Sequence, residues 1–64
     1  MKIKGIPSSE TNILRRVTTT GEAYVITVNN ATQMYTIYKL NGDTAVKLGK
    51  GSNPLELEQK YVVD

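Results

Sequence analysis

The stretch Tyr35-Thr36-Ile37-Tyr38-Lys39-Leu40-Asn41-Gly42-Asp43-Thr44-Ala45-Val46-Lys47-Leu48 decides the fold. Runs of Val, Ile, Thr and Tyr flank Asn41-Gly42, and both of those residues tolerate positive φ. The sequence therefore predicts a β-hairpin closed by a two-residue type I′ turn. Such a turn pairs Leu40 with Asp43, Tyr38 with Ala45 and Ile37 with Val46. Alternation then places Tyr35, Ile37, Val46 and Leu48 on one face and Thr36, Tyr38, Ala45 and Lys47 on the other, and the first set makes the better core.

Toward the N-terminus, Asn29-Asn30 and Gly21 punctuate further β-rich runs. An even-numbered loop at Asn29-Asn30 brings Tyr24, Ile26 and Val28 to the same core face, whereas a three-residue loop turns Met34, Tyr38 and Leu40 inward. A turn near Thr20-Gly21 adds Ile13 and Val17 to the core. Ser8 to Val17 carries two patterns: Ile13, Arg15 and Val17 alternate as in a strand, while Glu10, Ile13, Leu14 and Val17 fit helical spacing behind a Ser cap. The strand is preferred because the β-branched run Thr18-Thr19-Thr20 follows directly. Strands are thus expected near 13–19, 22–29, 33–40 and 44–48, and Lys2 to Ile6 reads as a further short strand ended by Pro7.

Toward the C-terminus, Asn53 can cap a helix, Pro54 suits its first position and Glu56 stands where a capping box places its acid. The helix should run over 54–62, with Leu55, Leu57, Tyr61 and Val62 on the arc facing the sheet and Glu56 and Lys60 paired outside. Glu58 falls inside that arc and Arg15 inside the core side of the first strand; if they meet, the pair could be a tuned acid, but a rim salt bridge or two long side chains reaching out to water is the preferred reading. The fold class is α+β: an antiparallel meander of three or four strands with one C-terminal helix packed on one face.

With 64 residues, no Cys and no His, the chain reads as one small domain without disulfide or structural-zinc support. A chain of this size buries only about 60% of its unfolded surface, so core packing or self-association must supply its stability. Eight basic against six acidic residues leave a charge of +2, a mild surplus that does not by itself point to nucleic acid. The N-terminal residues lack the apolar run of a signal peptide and no later stretch could span a bilayer, so a cytoplasmic protein without membrane attachment is expected. Asn30-Ala31-Thr32 matches a glycosylation acceptor pattern but reads as a turn.

Without His or Cys, nucleophilic catalysis of the Ser–His or thiol type has no players. Glu56 and Glu58 diverge around the helix, and no carboxylate cluster has metal-ligand spacing. A non-enzymatic protein with no cofactor and no metal is expected. Gly49-Lys50-Gly51-Ser52-Asn53 could offer amide donors to a phosphate at a helix N-terminus, with Lys50 adding charge, but it lacks the order of a Walker motif and reads first as a strand-to-helix connection.

The second sheet face is the functional lead, since the helix covers only the first. Val25, Thr27, Met34, Thr36, Tyr38 and Leu40 lie there, with Lys47 and, from the first strand, Leu14 and Arg16. As a protein interface, Tyr38, Met34 and Leu40 would anchor a partner or a second copy. As a DNA reader, the sheet would enter the major groove, with Arg15, Arg16, Lys47 and Lys50 as the basic contacts. The plain alternative is an ordinary half-buried sheet face. The expected function is a small protein-binding or self-associating module of regulator or accessory type, with nucleic-acid binding as the alternative.

The order of three strands and a C-terminal helix is similar to the layout of arm-type integrase and plant AP2 DNA-binding domains, which read DNA with the sheet. Their tryptophan-bearing and arginine-rich strand motifs are missing here. A helical Ser8 to Val17 would instead resemble a double-stranded-RNA-binding domain, whose basic last-helix stretch is absent from Pro54 to Val62. The likeness is one of layout and names no family.

Overall fold

The computed structural model describes residues 4–62. Four strands, β1 (Glu10–Val17), β2 (Ala23–Asn29), β3 (Tyr35–Asn41) and β4 (Thr44–Gly51), form one antiparallel sheet in the order β1-β2-β3-β4, followed by the helix α1 (Pro54–Tyr61). This is the expected meander with its C-terminal helix. Ser8 and Ser9 cap no helix, and the segment after them is a strand.

The β3–β4 hairpin turns one residue later than expected. Asn41 pairs with Thr44 and Leu40 with Ala45, leaving Gly42-Asp43 as the loop. Only Gly42, the first loop residue, has positive φ, at 66°; a glycine there suits a type II′ turn, whereas type I′ needs positive φ at both loop positions. β3 gains Asn41 while β4 gives up Asp43, so each β3 residue near the turn meets a partner two positions further along β4 and face parity is unchanged there. A register shift between Ile37 and Tyr38 then pairs Ile37 with Gly49 and Tyr35 with Gly51.

The β2–β3 loop is even-numbered, as the core reading requires: Ile26 pairs with Ile37 and Val28 with Tyr35. The Asn29 side chain accepts from the Ala31 and Thr32 amides at 2.9 and 3.1 Å, which is how an Asx turn closes such a loop. The acceptor-like Asn30-Ala31-Thr32 lies in this turn.

The β1–β2 connection overturns part of the expected core. The Thr18 amide donates to the Glu22 carbonyl at 2.8 Å, and Gly21 has φ 89°; this tight turn sets Arg16 opposite Tyr24 and Leu14 opposite Ile26. Leu14 and Arg16 therefore lie on the helix side, the reverse of the expected arrangement. Ile13 and Val17, expected in the core, are exposed. A bulge between Asn12 and Leu14 then switches the parity again, so that Glu10 and Asn12 join Thr27 and Asn29 on the far face.

The core on the helix side gathers Tyr24, Ile26, Ile37 and Leu57, with Tyr35, Leu48, Tyr61 and Val62 packed around them. Asn53 caps α1 by accepting from the Leu55 amide at 2.9 Å. A Cβ on Gly49 would collide with the Tyr61 ring, and one on Gly51 would touch Leu57. The two glycines thus let the helix approach β4, and they are strand residues rather than an anion-binding loop. The helix ends over Gly49 and does not reach Val46, which is 51% exposed instead of core. Leu55, on the first turn, is exposed as well.

The far face is also covered. Lys4 makes a parallel bridge to Thr44 on the outer side of β4, its amide donating to the Asp43 carbonyl at 2.9 Å and its carbonyl accepting from Ala45 at 2.6 Å. At the opposite edge the Ser9 carbonyl accepts from the Asn30 amide at 3.2 Å, and β1 begins at Glu10. Residues 4–9 therefore traverse the sheet. The crossing lies on the face away from α1, where Val25, Thr27, Thr36, Tyr38 and Ala45 are buried. Of the short N-terminal strand expected over Lys2 to Ile6, only the Lys4 bridge forms among the described residues, and Lys2 and Ile3 lie outside them.

Candidate interaction surface

The bulge in β1 carries Glu10 to the far face, where Oε1 of its carboxylate accepts hydrogen bonds from the Thr27 hydroxyl at 2.8 Å and from the Tyr38 hydroxyl. Thr27 is fully buried and Tyr38 nearly so. Burial first, and the bond to Glu10 second, push the Tyr38 phenol well above the ordinary tyrosine range, because both penalise a phenolate there. Tyr38 is thus a fixed donor. The trio ties the start of β1 to the middle of the sheet.

Of the face residues expected to meet a partner, Val25, Thr27, Thr36 and Tyr38 are buried, Leu40 is half-buried, and Met34 is half-buried in the β2–β3 turn. The expected open face is closed because the N-terminal segment crosses it, leaving Tyr38 no surface to present. The basic residues separate as well. Arg15, paired with Val25, and Lys47 and Lys50, paired with Tyr38 and Thr36, lie on the far face, at opposite edges of the sheet. All three are exposed and form no ion pair among the described residues. Arg16 lies on the helix side and bridges Glu58 at 3.1 Å, so Glu58 meets Arg16 and not Arg15, as the β1–β2 turn dictates. Lys39 and Glu22 form a second pair at 3.1 Å. Their hydrogen bond, then their mutual charge, lowers the Glu22 carboxyl and raises the Lys39 amine.

The surface left without cover is β1 itself. It is an edge strand of eight residues, α1 packs on β3 and β4, and Ile13, Leu14 and Val17 are 46%, 42% and 58% exposed. A depression of about 350 Å³ opens beside the bulge, lined by Asn12, Ile13, Leu14, Arg15 and Val25. An edge strand presents unpaired N–H and C=O groups, and here the bulge and the adjacent Arg15 and Arg16 guard it against indiscriminate pairing. The sequence reading missed this site by assigning Ile13 and Val17 to the core. The signal available was position: the first strand of a meander is necessarily an edge unless another segment pairs with it.

Among the described residues no group of three or more His, Cys, Asp or Glu could hold a metal ion, and no helix is long and apolar enough to cross a membrane. Comparison with protein-family models, curated proteins and solved structures finds no match to this chain.

Proposed function

We propose that the chain is a small, non-enzymatic protein-binding or self-associating module of regulator or accessory type that works through the β1 edge. The observation that carries this reading is the exposure of Ile13, Leu14 and Val17 on an uncovered edge strand. Edge addition supplies main-chain hydrogen bonds to a partner, and the exposed side chains supply selectivity. The lack of His and Cys in the chain, and the use of Glu10 as a tie between Thr27 and Tyr38, support a binding rather than a catalytic role. The competing reading, nucleic-acid binding, draws on the exposed Arg15, Lys47 and Lys50, which form no ion pair among the described residues.

The two readings separate in sedimentation velocity with and without a short mixed-sequence DNA duplex at low and moderate salt. Assembly that is indifferent to the duplex and is lost in Leu14→Lys supports the β1 edge. A chain that shifts only with the duplex, shifts less as salt rises and loses the shift in Lys47→Ala/Lys50→Ala reverses the assignment.

A further inference from the structure

We propose, building on the protein-binding reading, that the occupant of the β1 edge is β1 of a second copy, paired antiparallel about a twofold axis so that two four-stranded sheets become one. The order of charges along Glu10-Thr11-Asn12-Ile13-Leu14-Arg15-Arg16-Val17 selects this partner. The acid stands at one end and the bases at the other, so antiparallel reversal sets Glu10 of each copy against the Arg15-Arg16 end of its mate, twice over. Parallel pairing would stack like charges.

The faces agree as well. Glu10 pairs with Asn29 and Arg15 with Val25, alternate positions of β2 on the far face of the sheet, so in a continuous sheet they project to the same side. Both hydrogen bonds to Glu10 fall on Oε1. Oε2 accepts none among the described residues, and Arg15 has no ion pair there. Each copy therefore offers a carboxylate oxygen and a guanidinium to the other without breaking the ties to Thr27 and Tyr38. The midpoint of β1 falls between Ile13 and Leu14, both exposed, so reversal about that point buries the two apolar pairs against each other. The opposite sheet edge is less open, since Lys4 already bridges β4 at Thr44. Arg15 fits the same scheme: a strand without an acid at the matching place leaves it unpaired, whereas a second copy supplies Glu10.

The chain has no cysteine, so a single introduced thiol reports its neighbour without interference. Sedimentation velocity of the unaltered chain from about 10 μM to about 1 mM, with and without the duplex used above, is combined with mild oxidation of Ile13→Cys and of Val46→Cys on the opposite edge. The expected result is a concentration-dependent dimer, disulfide formation at least about tenfold faster in Ile13→Cys, and a dissociation constant raised about tenfold or more in Arg15→Glu, which acts at both ends of the twofold. Dimers that cross-link through Val46→Cys and not through Ile13→Cys overturn β1 self-pairing while leaving the protein-binding reading in place. A chain that stays monomeric at the highest concentration also overturns it. If that monomer shifts with the duplex alone, the protein-binding reading falls too.

Discussion

Tyr38 shows how one side chain can read as a ligand contact in the sequence and serve as a structural tie in the fold. An aromatic among Thr and Lys residues on the second face looks like an interface anchor, yet its hydroxyl donates to Glu10 from a nearly buried ring. Hydrogen bonds to charged groups contribute about 1.5–3 kcal/mol, so Tyr38→Phe should lower unfolding stability by roughly that amount in urea denaturation. A phenol raised above its unfolded value of 10 contributes stability in full below pH 10, and that stability is lost as pH rises through the folded value. The unaltered chain should therefore lose stability more steeply above pH 10 than Tyr38→Phe, and its ultraviolet titration should contain a late tyrosinate phase that the variant lacks. The Arg16–Glu58 bridge is solvent-facing, with side chains 42% and 24% exposed; a double-mutant cycle should give at most about 1 kcal/mol, reduced by salt.

At the scale of elements, the helix depends on two absences of side chain. Gly49 and Gly51 lie in β4 beneath Tyr61 and Leu57, and this close approach is what a glycine-bearing strand end permits. Gly49→Ala should lift the C-terminal turn of α1, since the new methyl collides with the Tyr61 ring; Tyr61→Ala in the same chain should recover part of the loss, which hydrogen exchange along α1 would register. Gly5→Ala should be worse, because Gly5 has φ 98° and its added Cβ would meet the backbone carbonyl of Ala45, which cannot step aside. Leu57 is the buried residue of α1, and Leu57→Ala should cost about 2–5 kcal/mol. The elements themselves were legible from the sequence, with the Asn53-Pro54 start of α1 resting on local chemistry, whereas the loop after Asn29 stood open between an even number of residues and three. The turn before β2 was not, because Thr18 closes it through a backbone bond to Glu22 that three β-branched residues do not announce.

For the molecule as a whole, stability of about 0.05–0.15 kcal/mol per residue gives roughly 3–10 kcal/mol for 64 residues. Leu57→Ala alone can therefore consume most of it. A marginal fold gains from any contact made only in the folded state, so pairing through β1 should raise the thermal midpoint as protein concentration rises. Calorimetry over a hundredfold concentration range should show that rise in the unaltered chain and a flat midpoint in Leu14→Lys. The far face matters at this scale too, because residues 4–9 link the two edges of the sheet and close the surface that the strand pattern alone leaves open.

Period-two alternation, turn residues and a helix cap determined the meander, its helix and the central core of Ile26 and Ile37, because each of these acts over a few neighbouring residues. Which residues of β1 face inward, where Glu10 points and what covers Tyr38 were decided only in the tertiary structure. A bulge of one residue reverses every side chain beyond it, and a crossing segment buries a face by contacts far apart in the chain. Local pattern carries neither, and the β1 edge became visible only when both were in place.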